Sequence, residues 1–151
     1  MLQSLTGRAF ATVTLLGSLT AGMTIGTQSA GAASFQQWSS MCGKWVNDVS
    51  KVDSQIQRDN SGARIWLNIE IDFAALAVDG RHITSQCATS PDRTLNTLMR
   101  NYGNALYAAG VSCASWASTN GTSYSVACIN GITREKSLQN STSNRMQQIL
   151  G

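Results

Sequence analysis

Apolar side chains return along this chain in alternating steps of three and four, first at Phe35, Trp38, Cys42, Trp45, Val49, Val52 and Ile56. That spacing puts them on one stripe of a helix, with Lys44, Asn47, Asp48, Lys51 and Gln55 on its outer face. The beat recurs at Trp66, Ile69, Phe73, Leu76, Gly80, Ile83 and Cys87, and again at Leu95, Leu98, Tyr102, Ala109, Cys113 and Trp116. Helix one is expected from near Ser34 to about Arg58, stopped by the turn-forming run Asp59-Asn60-Ser61-Gly62.

The second segment opens ambiguously, because Ile65, Leu67, Ile69, Ile71 and Phe73 also alternate as a half-buried strand would. The alanine-rich run from Phe73 to Val78 favours helix and carries the pattern on to Cys87. As a helix, this segment bears a second apolar stripe at Leu67, Ile71, Ala74 and Val78. A helix apolar on two sides is either buried by several neighbours or meets another chain. Gly80 falls on the main seam, where a missing side chain lets another helix come close.

Thr89-Ser90-Pro91-Asp92 is the sharpest boundary, with Ser90 expected as N-cap and Pro91 as the first residue of a helix running to about Ala117. A fourth helix over Ser123 to Leu150 is weaker. Glu135 interrupts its apolar face, and Gln139 to Asn144 is a poor helix-forming run, so its end is expected to fray. The pattern predicts a mainly α domain, an antiparallel up-down four-helix bundle stapled by two disulfides. The alternative keeps three helices and closes residues 111–129 into a disulfide-pinned β-hairpin turned at Asn120-Gly121.

The first 33 residues read as a signal peptide: Arg8, an apolar run from Ala9 to Ile25, then small residues around Ala33 where a peptidase cuts. Residues 34–151 are then one secreted domain, extracellular or in the cell envelope, with no membrane span after cleavage. The whole chain carries a net charge of +3 and only 13% charged residues. Its basic residues are scattered singly, which argues against a nucleic-acid partner.

Four cysteines in an exported chain favour two disulfides. In an up-down bundle Cys42, early in helix one, is level with Cys87 at the end of helix two. Cys113, late in helix three, is level with Cys128, early in helix four. The other pairings join opposite ends of helices about 30 Å long, whereas a bridge needs Cα atoms within about 7 Å.

Candidate chemistry is sparse. The only histidine, His82, is expected on the solvated side of helix two. Asp72 and Asp79, at the margin of its seam, are expected to hydrogen-bond across to a neighbouring helix or a tryptophan N–H. No nucleophile motif, phosphate loop or metal-ligand spacing appears, so neither enzymatic activity, nor a cofactor, nor a metal is expected. The tryptophans sit on seams, and Trp38 and Trp45 with Met99 and Tyr102 form a candidate pocket for an apolar molecule. The expected function is binding to an unknown protein or envelope component through Leu67, Ile71, Ala74 and Val78, homo-oligomer formation included. The alternatives are a carrier of a small apolar ligand or haem and, less favoured, a small secreted hydrolase.

Overall fold

A computed structural model describes residues 30–122 and 125–150, with side chains from Phe35 to Ile149 apart from the gap. Residues 1–29 of the expected signal peptide therefore lie outside the described residues. Four helices follow one another: α1 (Ala30–Asp59), α2 (Trp66–His82), α3 (Arg93–Ser118) and α4 (Val126–Leu150). Ile83–Cys87 continues α2 as a π-turn. The strand reading of residues 65–73 and the hairpin reading of 111–129 are both set aside, since α2 and α3 run through them. Asn120-Gly121 is still a turn, with φ of 53° and 62°, but it links two helices rather than two strands. A side chain at Gly121 would strike the Trp66 ring, which packs edge-on against Trp116 at 5.2 Å.

The expected boundaries shift in three places. The N-cap of α3 is Asp92, not Ser90: its carboxylate accepts the Leu95 N–H at 2.6 Å, and the Ser90 hydroxyl instead closes a small turn onto Asp92. α3 runs to Ser118, close to the expected Ala117, and α4 runs unbroken through residues 139–144, where fraying was expected. The continuous α-helix expected as far as Cys87 gives way after His82. There the Thr84 and Ser85 hydroxyls donate back to the carbonyls of Gly80 and Arg81, a contact that loosens the regular ladder.

Neighbouring helices are antiparallel, and both predicted disulfides form: Cys42–Cys87 with Cα atoms 5.2 Å apart and Cys113–Cys128 with 4.7 Å. The α2–α3 contact is a backbone-to-backbone approach. A methyl group on Gly80 would lie 2.6 Å from the Gly103 carbonyl oxygen, and one on Gly110 would lie 2.6 Å from the Phe73 carbonyl oxygen. α1 packs on α2 and α4 on α3, but among the described residues no Cα of α1 comes within 8 Å of a Cα of α4. The core is continuous through Val49, Ile69, Leu76, Ile83, Leu95, Met99 and Leu106. A cleft remains along the α1–α4 side.

Candidate functional site

Two regions outside the core are candidates, the outer face of α2 and α3 and the α1–α4 cleft. On the first, the second stripe of α2 points to solvent: Leu67 is 66% exposed, Ile71 56% and Val78 54%, and Ala74 between them is exposed as well. Tyr107 and Val111 of α3 are also exposed. The glycine contacts bring Gly80 to Tyr107 and Gly110 to Ala77, so the apolar positions of the two helices lie side by side. Arg81 bridges them, its guanidinium donating to the Tyr107 hydroxyl at 2.9 Å and lying 4.6 Å from that ring's centre. Between Ala105 and Ser118 α3 has no charged residue. Exposed apolar side chains gathered on two adjacent helices usually meet something.

The second region is a cavity of about 110 Å³ in the cleft. All four helices line it: Asp53, Ile56, Gln57 and Asn60 from α1 and the turn after it, Ile69, Phe73 and Leu76 from α2, Ala109 and Trp116 from α3, and Cys128, Ile132, Glu135 and Lys136 from α4. Its floor is apolar and its carboxyl groups gather toward one end. Glu135 is buried beneath the cleft, 6% exposed, with its carboxyl close to the buried Tyr102 hydroxyl, while its Oε1 has no partner. Burial, reinforced by the nearby Asp53 carboxylate, pushes the Glu135 carboxyl up to about 8, against the opposing charge of Lys136. Burial likewise raises Asp53 to about 6, again opposed by Lys136. The phenol of Tyr102, desolvated and facing Glu135, is raised well above its ordinary value.

Of Trp38, Trp45, Met99 and Tyr102, expected to form a pocket, none lines this cavity. Trp38 is buried and donates its indole N–H to the Cys87 carbonyl at 2.9 Å, and Met99 and Tyr102 are core. Trp45 stacks flat on His82 with ring centres 3.9 Å apart and donates to the Gln86 side chain. This corrects the solvated placing of His82, which is half-buried and held by Trp45 on one face and Gln86 at a ring nitrogen. Of the roles expected of Asp72 and Asp79, Asp72 does meet a neighbouring helix, at Asp59 of α1, while the Trp38 and Trp45 N–H groups go to other acceptors. Burial raises both carboxyls. Asp72 faces the Asp59 carboxyl at the end of α1, and Asp79 feels Asp48.

Glu135 and Asp53 are the residues that sequence reasoning missed. The available signal was the acidic residue at position 135, seven after Cys128, falling on an otherwise apolar stripe. An ionisable group on a seam position is costly to bury and so marks a place where the interior is not ordinary core. The chain matches no family model, no curated protein and no solved structure.

Proposed function

We propose that this protein is an exported, non-catalytic binding module that meets a protein partner through the outer face of α2 and α3. The observation that carries the reading is the exposure of Leu67, Ile71 and Val78 in register with Tyr107 and Val111. A single exposed leucine needs no explanation, but exposed apolar side chains shared by two adjacent helices and bridged by Arg81 do. The export half of the reading rests on the apolar leader of residues 1–33 together with two intrachain disulfides, bonds that persist in oxidising compartments. Among the described residues no helix is long and apolar enough to cross a membrane.

The test places a photo-crosslinking side chain at position 71 or 78, or at Asn144 on the exposed side of α4 as control, in protein recovered from the exporting host. Crosslinks from 71 and 78 to one discrete protein, either a second copy or another chain, with none from 144, are the expected result. Ile71→Lys should remove that product while leaving the melting curve in place. Equal labelling from all three positions, or unfolding by Ile71→Lys, would return the stripe to ordinary structure.

A further inference from the structure

The α1–α4 cleft contains hydrogen-bonding capacity that the fold leaves unused. Among the described residues three buried side-chain oxygens have no partner, and two of them, Asn60 Oδ1 and Glu135 Oε1, belong to residues lining this cavity. Both are acceptors. A buried oxygen with no partner is costly, so Glu135 Oε1, close to the Asp53 carboxyl, points to a ligand that brings N–H groups to that end of the cavity. The two oxygens stand at opposite ends of the space. Asn60 is seven residues beyond Asp53 along α1, and Cys128 is seven before Glu135 along antiparallel α4, so the lining runs about 10 Å at 1.5 Å per residue.

The Glu135 end holds more carboxyl groups than cations. Asp53 from α1 and Glu135 from α4 face one ammonium, Lys136. The α3 contribution is the neutral phenol of Tyr102, and from α2 the Asp79 carboxyl acts on that phenol. With Glu135 protonated, Asp53 and Lys136 balance, and an added cation is matched when Glu135 ionises. Between the two ends the walls are Ile56, Ile69, Phe73, Trp116 and Ile132. A volume of about 110 Å³ is below that of an engineered cavity, about 150 Å³, that accepts benzene, so it holds a short alkyl group or a ring that projects partly from the open cleft and is too small for haem or a long acyl chain.

We propose that the cleft binds a small primary amine with a compact apolar body, its ammonium donating to Glu135 and Asp53 and its body lying on Phe73, Ile132 and Trp116. On binding, the Glu135 carboxyl gives its proton to solvent and its carboxylate accepts an N–H of the incoming ammonium, so no charge is left unpaired. The site is separate from the outer face of α2 and α3, and neither reading depends on the other.

The experiment is calorimetric titration of the oxidised full chain at pH 7 with 2-phenylethylamine, ethylbenzene and 3-phenylpropionate, three probes of similar shape and different head group. Trp116 fluorescence serves as a second signal. Saturable binding of the amine, accompanied by release of about one proton when buffers of different ionisation enthalpy are compared, is expected. Glu135→Gln should weaken the amine about tenfold or more, the loss of one charge-assisted hydrogen bond, and abolish the proton release. Ile132→Trp, which fills the cleft, should abolish binding, and Ile71→Lys on the outer face should leave it unchanged. Equal affinity for ethylbenzene, preference for the carboxylate probe, or no saturable binding of the amine by folded protein would each overturn the proposal.

Discussion

The α2–α3 contact and the α1–α4 opening are built from the same four helices and differ in side-chain size at facing positions. Across the first, Gly80, Gly103 and Gly110 present no Cβ, so backbone meets backbone and no space remains. Across the second, Ile56 and Gln57 face Ile132, Glu135 and Lys136, and the backbones stay apart. The disulfides reinforce the asymmetry. Cys42–Cys87 fastens the first helix to the end of the α2 segment, Cys113–Cys128 fastens the last helix to α3, and neither joins the outer helices to each other. A closed central pair with two stapled flanks can therefore keep an opening along its length, because closing it is not needed to hold the flanks in place.

Breaking the staples should have the largest effect. Replacing Cys42 and Cys87 by alanine opens a link spanning 45 residues and is expected to cost about 4 kcal/mol in urea unfolding, whereas the 15-residue link between Cys113 and Cys128 is expected to cost about 3 kcal/mol. Equal losses would show that chain entropy is not what distinguishes the two flanks.

Next comes the seam itself. Gly110→Val drives a side chain into the Phe73 carbonyl and Ala77 and should destabilise by about 3 kcal/mol, the upper range for overpacking, while Ile132→Val in the open cleft should cost about 1 kcal/mol. A tolerated Gly110→Val would mean that α2 and α3 can separate without loss.

A third prediction separates the two regions by pH. Glu135 and Asp53 are raised in the folded protein, so folding favours their protonated forms. Their contribution is full below the ordinary values of 4.5 and 3.8 and is lost as pH climbs through about 6 for Asp53 and about 8 for Glu135. Glu135→Gln, neutral at every pH, should match the parent near pH 5 and exceed it at pH 8.5 by about 2 kcal/mol. Identical pH profiles for the two proteins would show the carboxyl to be solvated.

Asp92 supplies the opposite sign and a smaller effect. Its carboxylate is held below the ordinary range by Arg145, whose guanidinium donates at 2.6 Å, and by the Leu95 N–H. Its contribution is present above the ordinary value and lost as pH falls below it. Asp92→Asn keeps a capping side chain and should slightly lower the melting temperature at pH 7 while removing part of the loss in acid. The smallest effect is at the outer face, where Ile71→Lys should change stability by no more than about 0.5 kcal/mol, because the side chain is already mostly in water.

The periodicity of apolar positions by itself determined that these segments are helices. Helix length with the places of four cysteines also determined which sulfurs meet, since a helix fixes axial position at a set rise per residue. Local sequence was less decisive at the ends: Ser90 and Asp92 are both good caps, and the choice went to Asp92 because Arg145, fifty-three residues away, reaches its carboxylate. The second stripe of α2 was legible as an apolar surface but not as an exposed one, for a wheel shows which residues share a face and not which neighbour covers it. Tertiary structure alone decided that His82 lies on Trp45, that Asp53 and Glu135 converge from opposite helices, and that a cavity opens beside them. Those outcomes depend on distances between helices, which follow from summed side-chain volumes across each contact and are encoded at no single position.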